Sequence, residues 1–166
     1  MITQKLRDEL AELLEWLDWW NRKGAPIKRS MQMKEVRVIA DAGTGWGYRV
    51  DGVTRGIEMD ENTLAQAGEW SDKEREMWQP WKELVVFEKM LEVEGESLKG
   101  KSLLYYSDAT AAVRYINKGS GPSTFMSAVM KRIFRRCVEL ELAVWAEHVS
   151  GGLMKEAEVD SLSRWA

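Results

Sequence analysis

Three acidic residues occupy positions where carboxylates could do chemistry together. Asp41 ends the run Val36-Arg37-Val38-Ile39-Ala40, and Asp108 ends the apolar run from Ser102 to Ser107. Both runs read as β-strands. If the strands are parallel neighbours, the two carboxylates lie side by side at the carboxyl edge of the sheet, where open α/β sheets bind ligands. A lone Asp at a strand end is ordinarily a structural cap, but two at equivalent ends point to a shared site. Glu83 lies three, four and seven residues before Val86, Phe87 and Met90, so it shares their helix face and is expected to point inward. Burying an unpaired carboxylate costs several kcal/mol, so an inward Glu83 needs a cation or hydrogen-bond donors. The alternative is a first-turn Glu, favoured by the helix dipole and partly solvated. A cluster of Asp41, Glu83 and Asp108 repels itself without metal, and hard oxygen ligands with no His or Cys nearby select Mg²⁺ or Mn²⁺ over zinc.

The elements that would hold these residues follow from periodicity. Leu6, Leu10, Leu13, Leu17 and Trp20 form one stripe of an amphipathic helix from Thr3 to about Arg22, ended by Gly24 and Pro26. The strand ending at Asp41 leads into Gly43-Thr44-Gly45-Trp46-Gly47 and a second β-type run through Val50. Asp51-Gly52 is then expected as a hairpin turn, with a third strand drawn from Ile57 to Met59 and Ala67 to Trp70. Pro80 starts a helix predicted from Trp81 to about Val93. After the strand from Ser102 to Ser107 come a helix from Thr110 to Asn117, stopped by Gly119, and a longer one from near Ser123. In the latter Met126, Val129, Met130, Ile133, Cys137 and Leu140 share a face opposite Lys131, Arg132 and Arg135. Leu142 to His148 is a last strand, Gly151-Gly152 a loop and Lys155 to Arg164 a final helix. The order βββ-α-β-α-α-β-α predicts an α/β layered domain with a mixed sheet.

Composition sets outer bounds. The 166 residues, 45% of them apolar, suffice for one core and one domain of ordinary size. The net charge of −3 argues against nucleic-acid binding by bulk charge alone, but it hides an asymmetry. Residues 109 to 138 carry six bases (Arg114, Lys118, Lys131, Arg132, Arg135, Arg136) and no acid, whereas residues 58 to 96 carry twelve acids and four bases. Such bases are either a solvated face or a phosphate-contacting surface, and the acid-free stretch favours the second. One cysteine excludes an internal disulfide framework and makes a reducing intracellular setting the default. No apolar run has membrane-span length, and the N-terminus lacks a signal-peptide core, so a soluble protein in the cytoplasm or nucleus is expected. Nine Trp residues, with Trp16, Trp19 and Trp20 crowded near the N-terminus, suggest an aromatic surface facing a partner.

Four ordered blocks resemble the ribonuclease H domain of retroelement reverse transcriptases. They are Ala40-Asp41-Ala42-Gly43-Thr44-Gly45-Trp46-Gly47; Trp81-Lys82-Glu83-Leu84; Ser107-Asp108-Ala109-Thr110-Ala111-Ala112-Val113 with Tyr115-Ile116-Asn117-Lys118-Gly119; and His148-Val149-Ser150-Gly151 with Val159-Asp160-Ser161-Leu162-Ser163-Arg164. The pattern is most similar to that of DIRS-type, tyrosine-recombinase retroelements, over about residues 10 to 165. Gly43 replaces the usual Ser, Ala109 the usual Asn and Val159 the usual Ala, and two extra residues separate His148 from Asp160. These departures touch substrate contacts and the last loop more than the carboxylates.

The resemblance implies a ribonuclease H-like fold, with a mixed five-stranded sheet flanked by helices and an extra N-terminal helix. Residues 1–34 would be a connecting helix and linker, and 35–166 the catalytic domain. It further implies a two-metal endonuclease cleaving the RNA strand of RNA/DNA hybrids. Asp41 would bridge two Mg²⁺ ions (or Mn²⁺), Glu83 and Asp108 would complete one ion's ligands, and Asp160 would hold the other, so no side-chain nucleophile is required. His148 would assist proton transfer or product release; on residue type alone it reads as a surface loop His. Substrate contacts would come from Gly43, Thr44, Gly45 and Trp46, from Asn117 and Lys118, and from Lys131, Arg132, Arg135 and Arg136, with RNA selected through its 2′-OH. The Trp-rich N-terminal helix would join the polymerase domain of the same polyprotein. Its leucine stripe is expected to dock partly on the domain, leaving Trp16 or Trp19 exposed. A catalytically silent module packing on a polymerase, and a DNA-acting integrase or transposase core, are the competing readings. All four acids count against the first, and Asp160 followed by Leu-Ser-Arg, rather than Glu, counts against the second.

Overall fold

A computed structural model of the chain describes residues 3–23, 35–52, 64–152 and 159–165. Helix α1 (Gln4–Lys23) precedes β1 (Glu35–Ala42), β2 (Trp46–Gly52), β3 (Leu64–Gly68), the short α2 (Asp72–Arg75) and α3 (Gln79–Leu98). Then follow β4 (Ser102–Ser107), α4 (Thr110–Lys118), α5 (Thr124–Glu139), β5 (Ala143–His148) and α6 (Val159–Trp165). The five strands form one sheet in the order β3-β2-β1-β4-β5. β1 pairs antiparallel with β2 and parallel with β4, and β5 is parallel to β4. This is the expected mixed sheet, with the strands bearing Asp41 and Asp108 as parallel neighbours.

Alternation along β1, β2 and β4 puts Val36, Val38, Ala40, Tyr48, Val50, Leu103 and Tyr105 into one core with Leu84, Phe87, Met90 and Leu91 of α3. The apolar face read for α5 is buried as expected, from Met126 through Leu140. Tyr48 reaches Glu94 of α3 with its hydroxyl, at 3.3 Å, whereas a Cβ on the adjacent Gly47 would stand 2.7 Å from Leu162 Cβ of α6. Successive strand residues face opposite sides, so α3 and α6 cover opposite faces of the sheet.

Several boundaries depart from the sequence reading. Asp51-Gly52 is not a turn. β2 runs on through Gly52, with Arg37 of β1 donating to the Asp51 carboxylate at 3.0 Å, so the link to β3 falls beyond it, outside the described residues; the β1–β2 reversal is at Gly43 to Gly45. The third strand is Leu64–Gly68; Ile57 to Met59 lie outside the described residues. Trp70 leaves the sheet and is buried, its indole donating to Gly43 O at 3.2 Å. Helix α3 continues past Val93 to Leu98, and within it Gly95 is a close-packing position: a Cβ there would stand 2.6 Å from Leu140 Cδ1. Helix α2, missed in the sequence, is a capping box in which Ser71 and Glu74 satisfy each other's backbone. Gly151 and Gly152 are helical rather than loop, close against Asp108, whose Oδ2 would lie 3.9 Å from a Cβ at Gly151. The last helix is described from Val159, so Lys155 to Glu158 fall outside.

The leucine stripe of α1 does not dock. Leu6, Leu10, Leu13 and Leu17 are 44 to 57% exposed, Leu13 and Leu17 only edging an open cleft against Lys131 and Phe134, and the helix meets α5 through the adjoining flank of Glu12, Glu15 and Trp16. Glu12 pairs with Lys131 at 2.8 Å, Glu15 with Arg135 at 3.9 Å, and the Trp16 ring lies 5.4 Å from Phe134 and under the Arg135 guanidinium. The reason is charge: the surface that α5 offers is basic and selects the acidic flank of α1.

Candidate active site

Parallel pairing of β1 with β4 runs to Ile39 opposite Tyr106, and two further residues bring Asp41 level with Asp108. Glu83 enters from the second turn of α3, whose inward face also carries Val86, Phe87 and Met90. Oxygens of Asp41, Glu83 and Asp108 all lie within 4.8 Å of one another. Asp41 is 8% and Glu83 2% exposed, whereas Asp108 sits at the open rim.

The buried members are incompletely satisfied. Glu83 Oε1 accepts from Gln79 Nε2 at 2.9 Å, and Gln79 also donates to the carbonyl of Ala42. Glu83 Oε2 is buried with no hydrogen-bond partner among the described residues. Burial, then the charges of Asp41 and Asp108, push the Glu83 carboxyl up to about 8. Asp41 is raised by burial too, and by Asp108 and Asp160, against a lowering hydrogen bond from Ser163. Three crowded carboxylates, one with an orphaned inward oxygen, fit a hard divalent cation, which would supply the missing partner and cancel the repulsion.

Asp160 opens α6 and stands outside this tight trio. Its charge still reaches Asp41, and its Oδ1 accepts from Arg164 at 2.9 Å. His148 ends β5 in register with Ser107 and is exposed. The structure thus brings Asp41, Glu83 and Asp108 together, sets Asp160 near enough for its charge to reach Asp41, and places His148 at the end of the neighbouring strand.

The expected substrate contacts divide differently. The Gly43 to Gly45 turn grips α6: Gly45 N–H donates to Ser163 O at 2.6 Å, and the single Thr44 hydroxyl proton is shared between Ser163 O and Arg164 O, both at 3.3 Å. Trp46 stacks on Tyr48 and donates to Glu69 O. Asn117 lies away from the carboxylates, clasping β5 by donating to Ala146 O and accepting from Ala146 N–H, both at 2.8 Å. Lys118 is exposed at the end of α4. Each of the four α5 bases meets a carboxylate. Arg132 forks onto Glu88 at 2.5 and 3.0 Å, Arg136 bonds Glu96 and Glu139, and Lys131 and Arg135 face α1. Glu88 and Glu96 lie further along α3 than Glu83, so these bases gather toward the end of the domain away from the trio.

Two residues of the site escaped the sequence reading. Gln79 precedes Glu83 by one helical turn, a spacing that could have been noticed. Ser163 lies within a quoted motif, but its partner, Asp41, is 122 residues away and no local signal links them.

No family model matches the chain, and no curated protein matches it by sequence. Solved structures do match in shape. A ribonuclease H1 from the halophilic archaeon Halobacterium salinarum aligns over 77% of this chain and 93% of its own, with TM-score 0.55 and 10% identity. LC11-RNase H1, isolated from compost by a metagenomic approach and solved in complex with RNA/DNA hybrid, covers 79% of this chain and 95% of its own at TM-score 0.52 and 14% identity. A foamy viral protease-reverse transcriptase in complex with RNA/DNA hybrid matches 84% of this chain with a fifth of its own length, at TM-score 0.51 and 11% identity. With the mixed five-stranded sheet and its flanking helices, these likenesses show that the chain has the ribonuclease H-like fold.

Proposed function

We propose that this chain is a metal-dependent endonuclease that hydrolyses the RNA strand of RNA/DNA hybrids, as the ribonuclease H part of a retroelement reverse transcriptase of the DIRS type. The observation that carries the reading is the trio of Asp41, Glu83 and Asp108, with its orphaned Glu83 oxygen at the carboxyl edge of two parallel strands. The fold neighbours solved with RNA/DNA hybrid support the substrate class, and the four sequence blocks support the retroelement context.

In this reading Asp41, Glu83, Asp108 and Asp160 would hold two Mg²⁺ ions, with Mn²⁺ as substitute, and the ions would supply activation of the attacking water and stabilisation of the leaving 3′ oxygen. The protein keeps Asp41 and Glu83 rigid by burial, and leaves Asp108 at the rim where a phosphodiester can approach. His148, the only imidazole in the chain, ends the strand next to the one that leads into Asp108 and would serve proton transfer or product release. Lys118 and the α5 bases would meet phosphates, the latter only by exchanging their present carboxylate partners. Helix α1 would meet the polymerase domain through its uncovered leucines. An intracellular site of action completes the reading; no described helix is long and apolar enough to cross a membrane.

The test is incubation of the purified chain with labelled RNA/DNA hybrid, double-stranded RNA and duplex DNA, in Mg²⁺, Mn²⁺ or EDTA. The expected result is metal-dependent cleavage of the hybrid's RNA strand alone. Asp41→Asn and Asp108→Asn should each abolish it with the fold intact, because a neutral amide replaces an anionic ligand of the same shape. Duplex DNA cleavage would favour an integrase-like enzyme, and no cleavage of any substrate a silent module.

A further inference from the structure

Ser163 is fully buried, and its hydroxyl lies 2.5 Å from Asp41 Oδ2, with the Asp160 carbonyl a second acceptor at 3.1 Å. The shorter contact is charge-assisted and takes the proton. That hydroxyl occupies space which residue 43 leaves open: a Cβ on Gly43 would stand 2.8 Å from Ser163 Oγ and 3.2 Å from Ser163 O. Around this contact the β1–β2 turn fastens α6 by backbone, through Gly45 N–H and Thr44 Oγ1, while Gly47 lets Leu162 sit directly on the strand. The same helix carries Asp160 in its first turn.

We infer that Ser163 is a positioning residue for Asp41 and that Gly43 is its steric complement, so that docking of α6 on the glycine-rich turn sets Asp41 and delivers Asp160 in one step. The inference rests on the metal-site reading above. One oxygen of Asp41, Oδ2, is engaged by Ser163, which restrains the carboxylate's rotation within the cluster it forms with Glu83 and Asp108. The glycine-rich turn is therefore the seat of the last helix, and the Gly at position 43, a departure from the resembling family, matches the hydroxyl that fills its place.

The test uses the full chain and reads Mg²⁺ binding by titration calorimetry without nucleic acid, beside melting in EDTA and hybrid cleavage. Ser163→Ala should remain folded and bind Mg²⁺ about 10- to 100-fold more weakly, the usual effect of removing a partner that orients a metal ligand. Gly43→Ser should do likewise, by displacing the Ser163 hydroxyl. Gly43→Ser/Ser163→Ala offers a hydroxyl from the opposite side into the vacated space and should recover most of the affinity. A lowered melting temperature with unchanged Mg²⁺ affinity in Ser163→Ala overturns the positioning role, and a double variant weaker than both single variants overturns the pairing with Gly43. If Ser163→Ala does not fold, Gly43→Ser decides: wild-type affinity in that variant overturns the inference. A wild-type chain that binds Mg²⁺ no better than Asp41→Asn overturns the metal-site reading itself, and the inference with it.

Discussion

Glu83 converts its burial into a pH dependence of stability. Its carboxyl titrates near 4.5 in an unfolded chain but is pushed up to about 8 in the fold, by burial first and by Asp41 and Asp108 next. Between those values the folded chain holds a proton that the unfolded chain has released, so stability is full below the lower value and is lost as pH rises through the upper one. Asp41, raised for the same reasons, acts in the same direction. The metal-free protein should therefore melt at progressively lower temperature from pH 5 to pH 9. Mg²⁺ should flatten that slope by replacing the proton, and Glu83→Gln should flatten it in EDTA. A metal-free difference between wild type and Glu83→Gln that does not change with pH would remove Glu83 as its source. At this scale the site was half legible. The three acids announced themselves through strand ends and a 3.6-residue period, which are local signals. Gln79 and Ser163, the groups that hold those acids, act through contacts that no short-range pattern records.

Among the elements, the strands β1 and β4 and the buried face of α5 followed from periodicity, because an apolar face must find a core. The parallel pairing of β1 with β4 was only a condition of the sequence reading, one that the fold fulfils. Turn and partner chemistry did not follow so directly. Asp51-Gly52 has the residues of a tight turn, yet the cross-strand pair with Arg37 keeps it in β2. Asn117 shows how far a motif residue's role depends on its neighbours. On sequence it stood among residues expected to touch nucleic acid, whereas in the fold its carboxamide gives β5 a strand-like partner at the sheet's outer edge. Asn117→Ala should lower stability by roughly 1–3 kcal/mol, since it leaves the Ala146 N–H and C=O without that partner. Amide exchange at Ala146 should rise, with the KM for hybrid unchanged. An unchanged melting temperature with a raised KM would return Asn117 to the substrate surface.

For the whole molecule, the open question is what α1 adds to the domain. Among the described residues its attachment to α5 includes two ion pairs and the contact of Trp16 with Phe134 and Arg135, while its leucines stay about half exposed. Exposed ion pairs contribute about 0–1 kcal/mol each, and an aromatic pair about 0.5–1.5 kcal/mol beyond its area. Deleting residues 1 to 24 should then lower stability by only about 1–3 kcal/mol on those magnitudes, well short of removing a core helix. The carboxylate edge lies on β1, α3 and β4, none of which depends on α1, so metal-dependent cleavage should survive the deletion. Lys131 and Arg135 would lose Glu12 and Glu15, and their released charge should steepen the salt dependence of hybrid binding as more counterions are displaced. A deletion variant that melts several degrees lower but shows the same salt slope would mean that the helix stabilises the core without neutralising α5. One that stays folded and cannot cleave would mean that α1 shapes the substrate path.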